Sequence, residues 1–111
     1  MGFILKLILT GVAAAVAAYI LPGVSINSFT DALLLAVVLG ILNAIVKPIL
    51  VALSLPVTII TLGLFLLVIN ALIILLADYI LAGFSVNGFI AALIFSIVLS
   101  ILTAIVDMVT K

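Results

Sequence analysis

Four apolar stretches, each long enough to cross a lipid bilayer, make up most of this sequence. They run over about Phe3–Ile20, Phe29–Lys47, Val57–Ile80 and Phe89–Met108. At ~1.5 Å of rise per residue, about eighteen helical residues span the ~30 Å hydrocarbon core of a bilayer. The apolar residues are continuous and do not alternate with polar ones, which favours helices over the strands of a barrel. The sequence therefore predicts an all-α membrane protein with four transmembrane helices.

The composition excludes a soluble fold. Hydrophobic residues make up 71% of the 111 residues and charged residues only 5%, whereas soluble domains are about 45–50% apolar and about 25% charged. A small soluble domain leaves too much of its surface exposed to hide so many apolar side chains. The start of the chain, with Lys6 before an apolar run and Ala13–Ala18, also resembles a cleavable signal peptide. The repeat described next instead makes this segment the counterpart of a later transmembrane helix.

The sequence repeats itself at an offset of sixty residues. Aligning Tyr19–Ile49 with Tyr79–Val109 gives sixteen identical pairs over thirty-one positions. Shared hydrophobicity does not explain this match, because tyrosine, glycine, serine and asparagine also align in register. We predict one transmembrane domain, residues 1–111, built from two tandem helical hairpins (repeat one 3–47, linker 48–56, repeat two 57–109). Since each repeat crosses the membrane twice, the two copies have the same orientation.

The apolar linker between the repeats carries a proline at each end, Pro48 and Pro56. Proline suits the first turn of a helix but disfavours its continuation, because it lacks an amide donor and clashes with the preceding turn. One interpretation is a short apolar helix that lies in the membrane interface or dips into it. The alternative is a kinked extension of the second helix.

The lysines predict the orientation of the chain. In a four-helix arrangement Lys6, Lys47 and Lys111 all lie on one side of the membrane, and both glycine-containing loops, which have no lysine, lie on the other. Lysine and arginine are enriched on the cytoplasmic side of membrane proteins. We therefore expect both termini to be cytoplasmic.

Small residues recur every four positions on the second and fourth predicted helices, and similar positions occur on the first. Such stripes let helices approach closely where no hydrophobic force joins them. They serve either packing within one chain or contact between copies in a homo-oligomer. The candidate helix-packing positions are Gly11, Ala36, Gly40, Ala44, Ser96, Ser100 and Ala104.

Polar and charged residues within the apolar stretches are the other candidates. Lys47 and Asp107 occupy corresponding repeat positions, so we predict an ion pair between them if the second and fourth helices meet. The alternative is that both side chains reach out to the interface. Asn43 and Asn70 are expected to form hydrogen bonds between helices. Asp78 ends an apolar stretch near the outer face, where water, a helix cap or lipid headgroups can satisfy it.

The residue types argue against an enzyme. The chain contains no His, Cys, Arg, Glu or Trp, and its net charge is zero. No catalytic base, carboxylate dyad, glycine-rich phosphate loop or metal-binding spacing can be assembled from it. It also lacks a basic patch for nucleic acid. We expect no cofactor and no metal, with the lipid bilayer as the partner, and we identify no small-molecule substrate.

An ordered set of motifs carries a family resemblance. The motifs are Leu42-Asn-Ala-Ile-Val-Lys-Pro-Ile49, Leu55-Pro-Val-Thr58, Thr61-Leu-Gly-Leu-Phe65 and Ile69-Asn-Ala71, together with the Leu21-Pro-Gly23 and Ala82-Gly-Phe-Ser-Val86 loops. This pattern resembles the phage-holin-like family of small bacterial membrane proteins, the four-transmembrane "mycobacterial" holin superfamily, over nearly the whole chain. The resemblance implies a location in the bacterial inner membrane. Holins as a class accumulate in the membrane and then oligomerise into lesions that release endolysin.

We therefore expect a holin-like, non-enzymatic membrane protein that oligomerises. The alternative is a structural or accessory protein of the bacterial envelope without pore activity. A third option is a small transporter or channel with an anion or neutral-solute path along Asn43, Asn70 and the threonines. A proton-coupled exporter fits poorly, because four-helix exporters of similar length depend on a membrane-embedded Glu in the first helix.

Overall fold

The computed structural model describes residues 2–110, which form five helices and two short strands. The helices are α1 (Phe3–Ile20), α2 (Phe29–Leu53), α3 (Leu55–Ile60), α4 (Phe65–Ile80) and α5 (Phe89–Thr110). Strand β1 (Val24–Ile26) follows α1, and strand β2 (Phe84–Val86) follows α4. Helices α1, α2 and α5 are long and apolar enough to cross a membrane, and α4 is a shorter apolar helix. The predicted all-helical membrane architecture is confirmed, apart from the two strands.

The four longer helices close into a bundle. Helix α1 packs against α2 and α5, and α4 packs against the same two helices. Each helix therefore has two neighbours, and α2 and α5 stand at opposite corners.

The tightly packed core lies in the half of the bundle next to the strands. Ala14, Leu35 and Phe95 have no exposed surface there, and the ring of Phe84 lies 5.5 Å from that of Phe95. At the other end of the bundle, none of residues 3–10 of α1 is buried. The same is true of α2 after Leu42 and of residues 100–109 of α5. The end of the bundle near residues 3 and 109 is thus loosely packed.

The two predicted loops pair with each other as an antiparallel ribbon, which the sequence analysis missed. Ser25 lies opposite Ser85 at the centre of the ribbon. Apolar and polar residues alternate along both strands, so Val24 and Phe84 enter the core while the serines face outward. That three-residue alternation was the available signal, although it is too short to predict a strand by itself. The ribbon joins the first helical hairpin to the second.

The segment between the hairpins combines parts of both interpretations. Helix α2 continues through Pro48 to Leu53, as an extension of the second helix would. A separate short apolar helix also forms, but over Leu55–Ile60. Helix α2 ends where the Ser54 hydroxyl donates a hydrogen bond to the Leu50 carbonyl at 2.7 Å. Pro56 then lies in the first turn of α3. Backbone amides in the first turn have no acceptor within the helix, so the lack of an amide donor in proline costs no hydrogen bond there.

The third helix, predicted as continuous over Val57–Ile80, is interrupted at residues 61–64, so that prediction was wrong. The amide of Gly63 donates to the Thr58 carbonyl at 2.8 Å and closes the end of α3. The Thr61 hydroxyl oxygen accepts a hydrogen bond from the Phe65 amide at 3.1 Å, which starts α4. A glycine after a short helix is a common stop signal, and Gly63 was the residue that indicated this break.

Candidate functional site

A cavity of about 400 Å³ opens between α1, α2 and α5 in the loosely packed half of the bundle. Its lining includes six polar or charged side chains. Hydrogen-bonding groups at membrane depth are costly unless they meet water or a polar partner. The cavity therefore suits water or a polar ligand better than lipid tails. These side chains are Lys6, Thr10, Asn43, Ser100, Thr103 and Asp107.

A second cavity of about 90 Å³ lies between α2, α4 and α5. Leu39, Asn43, Leu99 and Ser100 line both cavities, so the two adjoin. Except for Asp78, the polar and charged candidates from the sequence all reach one cavity or both. The polar and charged lining of the smaller one consists of Asn43, Lys47, Asn70, Ser96 and Ser100.

The ion pair at this end of the bundle is not the predicted one. Lys6 Nζ lies 3.5 Å from Asp107 Oδ1, with 62% of the lysine side chain and 55% of the aspartate side chain exposed. The predicted Lys47–Asp107 pair was wrong, because it required α2 and α5 to be neighbours, and they stand at opposite corners. Half-buried Lys47 makes no ion pair within residues 2–110. Lys111, which contributed to the predicted orientation, lies outside the described residues.

The two asparagines do not join helices by hydrogen bonds. Neither the Asn43 nor the Asn70 amide bonds a protein atom in the described part of the chain. Asn43 is exposed and Asn70 is half-buried, and no buried polar side-chain atom in this part of the chain lacks a partner. Both amides instead face the cavities, which leaves their donors and acceptors available to water or a ligand.

The small residues divide into two groups. Gly11, Ala36 and Ser96 are buried within the bundle. A Cβ atom at Gly11 would lie 2.8 Å from Leu33 Cδ2, so this glycine permits the close approach of α1 to α2. At Gly40, by contrast, an added Cβ would meet nothing within 4 Å. The positions left uncovered in one copy of the chain are Gly40, Ala44, Ser100 and Ala104.

The aspartates near the strands lie away from both cavities. The Asp78 carboxylate accepts a hydrogen bond from the Val86 amide of β2 at 3.3 Å. The Ser28 hydroxyl caps α2 by accepting from the Asp31 amide at 3.2 Å. The Asp31 carboxylate packs against the backbone of Gly83 so closely that a Cβ atom there would overlap it. These groups therefore fasten the ribbon to the helices.

The polar lining of the two cavities ends at a tightly packed apolar layer in the middle of the bundle. Beyond Leu39 and Leu99, the core contains Leu35 and Phe95, which have no exposed surface. In a single copy, polar side chains thus reach the middle of the bundle from one end. Residues 2–110 contain no cluster of three or more His, Cys, Asp or Glu side chains suited to a metal.

Comparison with known proteins places this architecture in a family. The family model described as "Mycobacterial 4 TMS phage holin, superfamily IV" matches residues 1–105. The uncharacterized membrane protein YvlD of Bacillus subtilis (strain 168) is 39% identical over 82 residues, which cover 73% of this chain and 69% of that protein. An uncharacterized protein of Streptomyces coelicolor is 36% identical over 112 residues, covering 92% of this chain and 90% of its own length.

No solved structure gives a significant match to the chain. The family model nevertheless covers nearly all of it, including most of both hairpins and every residue that lines the two cavities except Asp107. The chain therefore belongs to the mycobacterial four-transmembrane phage holin family, superfamily IV.

Proposed function

We propose that this protein is a holin-like, non-enzymatic membrane protein that assembles with copies of itself in the bacterial inner membrane. The observation that carries this proposal is the uncovered small-residue surface around Gly40 and Ala44 of α2 and around Ser100 and Ala104 of α5. It borders the polar cavities. Contact through this surface would bring the polar walls of several copies together, and small residues favour such close helix contacts.

Family membership supports the proposal, because holins as a class oligomerise into membrane lesions. The loosely packed half of the bundle supports it as well. In one copy the polar side chains extend only from one end of the bundle to its middle. Association or rearrangement of several copies could extend them into a continuous polar path across the membrane. A helix-lined polar path is how membrane proteins place hydrogen-bonding groups at membrane depth.

The proposal includes an origin from two tandem hairpins and cytoplasmic termini. The sequence match at an offset of sixty residues supports the duplication. So do the facing positions of Ser25 and Ser85 and the equal burial of Ala32 and Ala92. The lysines at one end of the bundle support the cytoplasmic orientation.

The test is inducible expression in a bacterial host, with membrane potential and leakage of a small dye followed over time. Gly40→Leu is the informative variant, because Gly40 is uncovered at the wall of the larger cavity and an added Cβ there meets no atom of its own chain within 4 Å. The same change at Gly2, which also has open space around it, is the matched control. We expect the wild type and Gly2→Leu to depolarise the membrane and Gly40→Leu to leave it intact, with all three present in the membrane at equal levels.

The second candidate is a structural or accessory protein of the envelope that makes no pore. The packed layer of Leu35 and Phe95 favours it, since this layer separates the cavities from the strand end of a single copy. Robust membrane expression with potential and barrier intact would contradict the holin-like proposal. That result would support this candidate.

A further inference from the structure

We propose that the smaller cavity binds a phosphate group, with the ammonium of Lys47 as its cationic ligand. This inference does not depend on membrane permeabilisation. It concerns what one folded copy of the chain binds between α2, α4 and α5.

The charges around the smaller cavity favour an anion. Its lining contains one cation, Lys47, and no carboxylate. The Asp107 carboxylate lines the larger cavity and forms an ion pair with Lys6. Lys47 therefore has no counter-charge within residues 2–110. An unpaired ammonium inside a membrane bundle is costly and normally meets an opposite charge, so an anion is the fitting occupant.

The neutral groups around the cavity supply hydrogen-bond donors from three helices. Asn43 of α2, Asn70 of α4 and Ser100 of α5 line it, and none of their side chains bonds a protein atom in the described residues. An amide offers two donors, a hydroxyl one and an ammonium three. A tetrahedral oxyanion has enough acceptor oxygens to use donors that converge from several sides. Lysine is a common phosphate ligand because it acts as a point charge.

The volume limits the ligand to a small group. A water molecule needs roughly 10–15 Å³ of cavity volume. The smaller cavity, at about 90 Å³, therefore has room for a phosphate group but not for a nucleotide. The larger cavity adjoins it at Asn43 and Ser100 and provides a route of entry. The phosphate group belongs either to free inorganic phosphate or to an anionic lipid headgroup, because Lys47 lies in the last two turns of α2, at the end of the helix that the lysines predict to face the cytoplasm.

The experiment uses the full-length chain, purified in a maltoside detergent and freed of lipid in phosphate-free buffer. Inorganic phosphate is titrated, and its binding is followed by ³¹P NMR line broadening and by calorimetry. Lys47→Met is the test variant. Lys6→Met is the matched control, because it removes a lysine from the same end of the bundle but from the other cavity. We expect Lys47→Met to bind about tenfold more weakly or worse, as for loss of a charge-assisted hydrogen bond, and Lys6→Met to bind like the wild type.

A second arm separates the two sources of phosphate. Short-chain phosphatidylglycerol is added to the phosphate-loaded protein, with the corresponding uncharged diacylglycerol as control. Displacement of phosphate by phosphatidylglycerol alone identifies a lipid-headgroup site, and resistance to displacement identifies a site for the free anion. If Lys47→Met does not stay monodisperse, Asn70→Leu serves in its place, with weaker phosphate binding expected. Equal binding by the wild type and the folded cavity variant, or no phosphate binding by the wild type in either arm, would overturn the proposal.

Discussion

The ammonium of Lys6 lies 3.5 Å from the carboxylate of Asp107 and joins the beginning of α1 to the end of α5. Both side chains are more than half exposed, so we expect the pair to contribute only about 0.2–1 kcal/mol to the free energy of unfolding. A double-mutant cycle of Lys6→Ala and Asp107→Ala in detergent measures this coupling. The parallel cycle of Lys47→Ala with Asp107→Ala should be additive, and coupling there would contradict the observed pairing.

This pair shows where sequence reasoning reaches its limit. The apolar runs alone indicate a helical membrane protein, because only helices and closed barrels satisfy the backbone in lipid and these runs do not alternate as barrel strands do. The alignment also places Lys47 and Asp107 at corresponding positions. Which charges meet depends on which helices are neighbours, however, and α5 packs against α1 and α4 instead of α2. The same limit applies to Asn43 and Asn70, whose types were informative but whose surroundings were not predictable.

Helix boundaries were harder to predict than helix existence. Pro48 lies inside α2 without ending it, since neighbouring groups in a membrane bundle tolerate proline within a helix. Gly63 lies within the predicted third helix, yet it takes φ 89° at the break before α4. A local residue type does not determine by itself whether a helix stops there.

Gly83→Ala should destabilise the fold by about 1–3 kcal/mol, the range for forcing extra atoms into a packed site. The added methyl group overlaps the Asp31 carboxylate. Chemical unfolding in detergent, followed by circular dichroism, measures the change. Gly40→Ala is the control, and we expect it to stabilise α2 by up to about 1 kcal/mol, because alanine favours the helix and its Cβ meets nothing.

The cause of that loss can be isolated by a second substitution. Asp31→Ala removes the overlapping carboxylate. Adding Gly83→Ala to the Asp31→Ala variant should therefore cost much less stability than Gly83→Ala costs in the wild type. Simple additivity of the two changes would contradict the packing argument.

Leu62→Gly should stabilise the protein in detergent by about 1 kcal/mol, because leucine is strained in the left-handed conformation that glycine adopts freely. Leu62 has φ 57° and closes the end of α3 with its side chain 93% exposed. Thermal unfolding measures the gain. Gly63→Ala, at φ 89°, should shift the midpoint in the opposite direction. A loss of stability in Leu62→Gly would show that its side chain contributes more than the strain costs.

Water in the cavities can be detected by cysteine labelling, because the natural chain contains no cysteine. Maleimides react with the thiolate, which forms in water and not in hydrocarbon. We expect Asn43→Cys, in the wall shared by both cavities, to react much faster than Ile41→Cys. Ile41 lies on the same helix with 53% of its surface uncovered by the bundle. Equal rates at the two positions would mean that the cavity holds no more water than the lipid-facing surface.

The same labelling tests the orientation. With a membrane-impermeant maleimide, Ser25→Cys on the ribbon should react in spheroplasts, whose cytoplasmic membrane is intact and whose outer surface is accessible. At expression levels that leave the membrane potential intact, Asn43→Cys should react only in inverted vesicles. Its cavity lies in the half of the bundle that carries Lys6 and Lys47, and lysines are enriched on the cytoplasmic side. The reverse pattern would place the termini outside. Reaction of Asn43→Cys from both sides would reveal a continuous aqueous path past Leu35 and Phe95, which the packed layer in a single copy opposes and which assembly of copies would have to create.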